Sequence, residues 1–267
     1  MRSLFITIFV SLKFGWIVKS LPSEVRIIGG AETGIEAYPY VVSLQYNGTF
    51  DGYDVEHFCA GVIINERWIG TAAKCIDKRK PGEFNVRVGS KYYFKEGVIH
   101  EIDSLLIHPK YTEIEWDYDV GLIEVHKPIE FDLKTQPVQL PLPHQELPAG
   151  TNLAIVGWGA TKLLGPPSPV INANIVPVIS QSMCEDSLGH FTVTPRMFCI
   201  FKHGNGPCVG DTGSPGVVNN TLFGLASWSP SCAYQYPTVY TNLSTTVDWI
   251  NQIIRAPSAP LSPKFRE

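Results

Sequence analysis

The stretch CVGDTGSPG, residues 208–216, sets one hydroxyl, Thr212, between an acid and a glycine in a loop that opens on Cys208. It runs directly into VVNNTLFG, where the Asn219-Asn220 pair suits a tight hairpin turn, because asparagine tolerates positive φ. The pattern of short apolar run and turn extends outward through the chain. YPYVVSLQY, HFCAGVII, RWIGTAA, FNVRVG, VGLIEV, NLAIVGWG, NIVPVI, TLFGLASW and TVYTNL are β-rich runs bounded by glycine, proline and polar residues. Runs of this length predict an all-β barrel or sandwich. One helix is expected over residues 244–255, with Val247, Ile250 and Ile254 on one stripe and Ser244 as its cap. The proline-rich segment 137–148 reads as a linker between halves. The tail APSAPLSPKFRE, residues 256–267, is expected to be disordered.

At 267 residues with 44% apolar and 17% charged content, the chain is long enough for a sizeable core. Residues 1–20, MRSLFITIFVSLKFGWIVKS, read as a secretory signal peptide, the apolar run being broken by Lys13 and too short to span a bilayer comfortably. Its removal takes away Arg2, Lys13 and Lys19 and no acids, so the net charge moves from −4 by three units to −7. No basic cluster is present, which disfavours nucleic acid as a partner. Six cysteines, an even set in an apparently secreted chain, imply three disulfides, and the absence of any C-x-x-C pair disfavours zinc. No metal or cofactor is expected. Sequons at Asn47, Asn219 and Asn242 fit an extracellular glycoprotein. Residues 21–26, LPSEVR, read as a propeptide ending at a tryptic point, Arg26, before IIGG.

Several segments in order carry a resemblance. RIIGG at 26–30, TAAKC at 71–75, YDVGLIEV at 118–125, GWG at 157–159, CVGDTGSP at 208–215 and SWS…PTVYTN up to 242 are similar to the markers of trypsin/chymotrypsin-like serine proteases. The separations, 45 residues from Lys74 to Asp119 and 93 from Asp119 to Thr212, match the family's spacing. The resemblance covers residues 27–254 and implies two six-stranded antiparallel β-barrels, about 27–136 and 137–243, with a C-terminal helix. It implies the disulfides Cys59–Cys75, Cys184–Cys199 and Cys208–Cys232. It also implies activation by cleavage after Arg26, which frees the Ile27 amine to pair with Asp211. The amides of Gly210 and Thr212 would form the oxyanion hole.

The departures lie in the cleft. Where the family has its triad histidine and serine, this chain has Lys74 and Thr212, and only Asp119 remains of the three. A lysine beside an acid tends to stay protonated and cannot act as a base, although burial pushes the other way and leaves a neutral Lys74 open. The extra methyl of Thr212 restricts its rotamers and crowds the attack path. His57, in HFCAG, reads as a hydrogen-bonded structural residue, with a stand-in catalytic role as the alternative. His108 resembles another structural position. The specificity-pocket positions hold Gly206, Ser229 and Thr238; the first removes the acid of trypsins, and the other two should narrow or close the slot. These changes lead to the expectation that the chain is no enzyme but a secreted pseudoprotease that binds other proteins. In style they are similar to inactivated protease paralogues of scabies mites and to insect serine protease homologues. That resemblance implies complement components or members of another protease cascade as partners. The alternative is an endopeptidase with a Thr212/Lys74 pair cleaving after small residues, which requires Lys74 to be desolvated and released from Asp119.

Overall fold

The computed structural model describes residues 27–50, 53–232 and 234–255. The expected signal peptide, propeptide and C-terminal tail lie outside the described residues. The first half contributes β2 (Val41–Phe50), β3 (Tyr53–Ile63), β4 (Trp68–Thr71), β5 (Asn85–Val88), β6 (Val98–His100), β7 (Ile102–Ile107) and β8 (Gly121–Val125). They form one antiparallel sheet in the order β6-β5-β2-β3-β4-β8-β7. Only Glu101 separates β6 from β7, so a single bent stretch supplies both edges and the sheet curls into a half-barrel.

The second sheet contains β1 (Ala31–Glu32), β9 (Asn152–Gly157), β10 (Asn172–Ile179), β11 (Met197–Ile200), β12 (Pro215–Val218), β13 (Thr221–Trp228) and β14 (Thr238–Asn242). Its order is β1-β10-β11-β14-β13-β12-β9, and a further β9–β10 pairing closes it into a barrel. Two barrel-like sheets are therefore present, each of seven strands rather than six. The extra strand of the second is β1, whose Ala31 and Glu32 pair with Ala173 and Asn172 of β10. Residues at the start of the first expected barrel thus belong to the second.

Each barrel has its own filling. Val42, Leu44, Ile63, Ile69, Phe84 and Ile123 occupy the first; Leu153, Ile155, Val176, Phe198, Phe223 and Tyr240 occupy the second. Between the two lie Val41, Val62, Leu122, Val156, Trp158 and Leu225, all essentially buried. Burial of each such side chain contributes roughly 1.5–3 kcal/mol, so this interlayer fixes how the barrels face one another. Trp158 adds direction by donating its Nε1–H to the Lys91 carbonyl at 2.9 Å.

Three α-helices are present among the described residues: α1 (Ala73–Ile76), α2 (Gln181–Leu188) and α3 (Val247–Ile254). The C-terminal helix is shorter than expected. A 3-10 turn, Leu243–Thr245, precedes it, and the Asn242 carboxamide caps that turn by accepting the Ser244 N–H at 3.1 Å. Ser244 is therefore inside the turn and is not the cap. The Asn219-Asn220 hairpin is as read, with φ of 48° and 61° joining β12 to β13.

Candidate active site

The cleft is assembled from both halves. Helix α1 follows β4 and is held down by the Cys59–Cys75 disulfide to β3, which sets Lys74 at the cleft edge. Asp119, two residues before β8, is fully buried, and its carboxylate takes three contacts. One carboxylate oxygen accepts the Lys74 backbone N–H at 2.9 Å. The other accepts the Ser227 hydroxyl at 2.6 Å and lies 3.3 Å from Lys74 Nζ. The Lys74 ammonium also rests 4.3 Å from the centre of the Trp116 ring, which stands 5.6 Å from Trp228. Burial lowers the Lys74 pKa, and the attraction of Asp119 opposes this without cancelling it. Lys74 is thus desolvated, as the enzyme reading requires, yet still paired with Asp119.

Thr212 is fixed through its backbone. Its carbonyl accepts the Ala60 N–H from the first sheet at 2.8 Å, while the next residue donates, Gly213 N–H to the Ala226 carbonyl, at 2.8 Å. Gly213 has φ 81°, and a Cβ there would lie 2.3 Å from the Ala60 oxygen, so no larger residue fits. Gly210, also left-handed at φ 95°, is flanked by the Val209 carbonyl bonded to Ala160 N–H at 2.7 Å. In a trans peptide the Gly210 N–H then points the opposite way from Ala160.

Beneath this loop sits an imidazole–hydroxyl pair. His57 Nε2 donates to the Gly210 carbonyl at 2.9 Å, so Nδ1 is the acceptor, and it takes the Ser43 hydroxyl at 2.7 Å. Gln45 in turn donates to Ser43 Oγ at 2.9 Å. Burial pushes the His57 pKa down to about 4, against the opposing effect of the Gly210 bond. The ring is therefore neutral at physiological pH. Both residues are buried. Ser43 escaped notice in the sequence because it lies inside the apolar run VVSLQY.

Asp211 is enclosed. Its carboxylate accepts the N–H groups of Gly159 at 2.8 Å and Cys208 at 3.0 Å. A Cβ at Gly157 or Gly159 would come within 2.2 Å of its oxygens, which explains both glycines of GWG. No described cation pairs with it, and burial raises its pKa from 3.8 to about 6. Ile27 is buried in the filling of the same barrel; Arg26 lies outside the described residues. An acid whose pKa is raised on folding holds a proton that the unfolded chain has lost. Stability of the uncleaved chain should therefore fall as pH rises from about 4 to about 6, by a few kcal/mol. Cleavage after Arg26 supplies an ammonium and should remove that loss. Melting temperature against pH for the two forms checks this; superimposed profiles would refute the pairing of Ile27 with Asp211.

A cavity of about 200 Å³ opens beside Thr212, lined among others by Val209, Ala226, Ser229 and Thr238. The slot is narrowed but not closed, being smaller than typical ligand pockets of roughly 300 Å³ and above. Gly206 does not line it; its N–H pairs with the Ile28 carbonyl at 3.0 Å, and Pro207 and Cys208 take the wall. The other two disulfides form as implied, Cys184–Cys199 and Cys208–Cys232. Of the sequons, Asn219 is exposed, whereas Asn242 is engaged as a cap through its carboxamide oxygen. The Asn47 side chain lies outside the described residues. Sequence reasoning also missed Trp116, whose only signal is its place three residues before Asp119. Asp117, between them, is bonded by Arg196.

A family model described as Trypsin matches residues 27–250. A trypsin of Phaedon cochleariae is 34% identical over 235 residues, covering 86% of this chain and 88% of that protein. Trypsin 5G1 of Aedes aegypti is 37% identical over 238 residues, covering 88% and 87%. A vitellin-degrading protease of Bombyx mori is 30% identical over 235 residues, covering 86% of each. These findings overturn the expectation that the chain is no enzyme. The relatives are named as trypsins and proteases, and His57 and Ser43 lie in a catalytic-like arrangement, so the expected loss of the triad is not supported. With its two barrel-like sheets, three disulfides and a match from Ile27 to Ile250, the chain belongs to the trypsin/chymotrypsin-like family of serine proteases.

Proposed function

We propose that the chain is a secreted endopeptidase of serine type, in which Thr212 is the attacking hydroxyl, Lys74 the base, and the residue before the cut a small one. The observation that carries this is the surroundings of the Lys74 amine: it lies over the Trp116 ring and beside buried Asp119, where burial disfavours its charge. His57 and Ser43, by contrast, are buried, and the two ring nitrogens of His57 are engaged by the Gly210 carbonyl and the Ser43 hydroxyl. In the proposed reaction, neutral Lys74 takes the Thr212 proton as the hydroxyl oxygen attacks the carbonyl carbon. The Gly210 and Thr212 N–H groups receive the oxyanion. The ammonium then protonates the leaving amine; Lys74, neutral again, takes a proton from water as it attacks the acyl carbon, and returns it to the Thr212 oxygen as the ester bond breaks. When Lys74 is neutral its attraction to Asp119 falls to that of an ordinary hydrogen bond, which releases it toward Thr212. The cavity of about 200 Å³ supports a small side chain in the pocket.

Secretion is supported by the presence of all six cysteines in disulfides. The substrates are then extracellular proteins, and complement components and other cascade proteins are the first to assay. The test is fluorophosphonate labelling and peptide-library cleavage by protein beginning at Ile27, across pH 6 to about 10. We expect label on Thr212 and turnover that rises with pH, because Lys74 must lose a proton. No label and no cleavage at any of these pH values would overturn the reading, and a Lys74→His/Thr212→Ser variant that labels would show that the rest of the cleft is sound.

A further inference from the structure

A line of hydrogen bonds runs through the first half of the molecule to the Gly210 loop. Arg87 on β5, Gln45 and Ser43 on β2 and His57 on β3 are all buried, and Gln45 lies opposite His57 in the β2–β3 register. Arg87 Nε donates to Gln45 Oε1 at 3.2 Å, and Gln45 Nε2 donates to Ser43 Oγ at 2.9 Å. The Ser43 hydroxyl donates to His57 Nδ1 at 2.7 Å, and His57 Nε2 to the Gly210 carbonyl at 2.9 Å. The direction of the line is fixed at Gln45. A carboxamide can be turned end for end, but here Arg87 only donates and the Tyr93 carbonyl only accepts. The Gln45 oxygen therefore faces Arg87, and its two N–H groups go to the Tyr93 carbonyl and Ser43. Arg87 is itself anchored, its Nη1 donating to the Glu96 carbonyl. With Gln45 donating to its oxygen, Ser43 turns its single proton to His57 Nδ1, which leaves the ring proton on Nε2 for Gly210. Glycine is the residue least able to hold its own peptide planes, and Gly210 sits at φ 95°. Both planes are pinned from outside, the one before by the Ala160 N–H on the Val209 carbonyl at 2.7 Å, the one after by His57.

We infer that Gln45 is a positioning residue for the oxyanion hole: locked by Arg87 and the Tyr93 carbonyl, it makes Ser43 a donor and so keeps His57 in the Nε2–H form that pins Gly210. This rests on the Gly210 N–H receiving the oxyanion, as in the proposed function. Gln45 is 1% exposed and acts only through Ser43 and His57.

Gln45→Glu keeps the shape and reverses the donor. Its carboxylate takes the Ser43 proton, and His57 Nδ1 then faces a lone pair in place of a hydrogen. The ring must take a second proton or give up its hold on Gly210. Gly-Asp occurs once in the sequence, at 210–211, so carbonyl-¹³C glycine with ¹⁵N aspartate gives a single NMR cross-peak for the Gly210 carbonyl. Histidine labelled with ¹⁵N follows the ring. In the natural protein beginning at Ile27, His57 should carry one proton, on Nε2, from about pH 6 to about 9, with the Gly210 peak unmoved. In Gln45→Glu the His57 midpoint should rise from about 4 to above about 5, and the Gly210 peak should titrate with it. At about pH 9 its kcat should fall roughly fivefold with KM unchanged, less than the roughly 10²–10³ lost when an oxyanion donor is removed outright. Ser43→Ala cuts the line without adding a charge, and in Ser43→Ala/Gln45→Glu the rise should shrink to less than half. A midpoint that stays near 4 in Gln45→Glu overturns the inference, as does a rise undiminished in the double variant, which would be charge acting through space. An unchanged kcat also overturns it. Should Gln45→Glu not fold, Ser43→Ala decides alone: a Gly210 peak left where the natural protein has it overturns the inference. Natural protein that neither labels nor cleaves, with the expected peaks, would overturn the catalytic reading and leave the hold of Gln45 on Gly210 standing.

Discussion

Replacing Asp119 by asparagine should raise peptidase activity at pH 7 about tenfold, by moving its alkaline rise to lower pH. The direction is opposite to that of a Ser-His-Asp arrangement, where the same exchange of the acid costs roughly 10⁴ in turnover. There the carboxylate orients a histidine and stabilises the imidazolium; here it holds a lysine in the charged form that cannot act. Asp119 lies 3.3 Å from the ammonium with nothing of its carboxylate exposed, so its pull on the proton is scarcely screened. Asparagine keeps an acceptor for the Lys74 backbone N–H and removes the charge. The Ser227 hydroxyl loses its acceptor, a cost of about 1–3 kcal/mol in stability, so melting must be followed alongside. The measurement is kcat/KM from pH 6 upward for both chains. Activity lost at every pH in a folded variant would mean that Asp119 orients a base rather than restraining one.

Removing the Arg196 side chain should lower stability by about 2–3 kcal/mol, and the loss should disappear in acid. Arg196 donates from Nε and Nη2 to the two oxygens of Asp117. The Thr194 hydroxyl adds a bond at 2.8 Å and the Tyr118 N–H another at 3.0 Å. Burial works to raise the Asp117 carboxyl, but these bonds outweigh it and hold its pKa below the usual range. Breaking a buried pair from one side costs roughly 3–5 kcal/mol, and the 29% exposure of Arg196 reduces this. An acid with a depressed folded pKa contributes stability above its unfolded pKa and loses it as pH falls through the folded value. Natural protein and Arg196→Ala should therefore converge below about pH 4 in a denaturant titration. A difference that persists unchanged into acid would place the effect in packing. The pair joins the two halves of the molecule, and it also anchors Trp116 and Tyr118, both held at left-handed φ of 50° and 51°.

These cases show where a sequence is readable. Strand runs and the Asn219-Asn220 turn are local and hold in the fold, and the three disulfides implied by the resemblance also form. Lys74 and Asp119 meet because motif order carries them on a known framework. Strand β1 was not legible: two exposed residues carry no period, and their partner is about 140 residues away. The Asp117–Arg196 pair spans 79 residues, and the Ser43–His57 pair is hidden in runs that read as ordinary core strand. The open pocket depends on backbone separation, which side-chain size at Ser229 and Thr238 does not set. The expected loss of activity came from two side chains alone, with neither the burial of Lys74 nor the named relatives in view.

The backbones of Lys74 and Thr212 are each held by a bond that the residue's own side chain does not make. Asp119 grips the backbone N–H of Lys74, and Ala60 grips the backbone carbonyl of Thr212. Both positions are therefore sockets: the frame holds the place, and the tenant can be exchanged without disturbing the frame. A family built this way can change its chemistry at such points while the fold, and the selection that maintains it, registers little of the change.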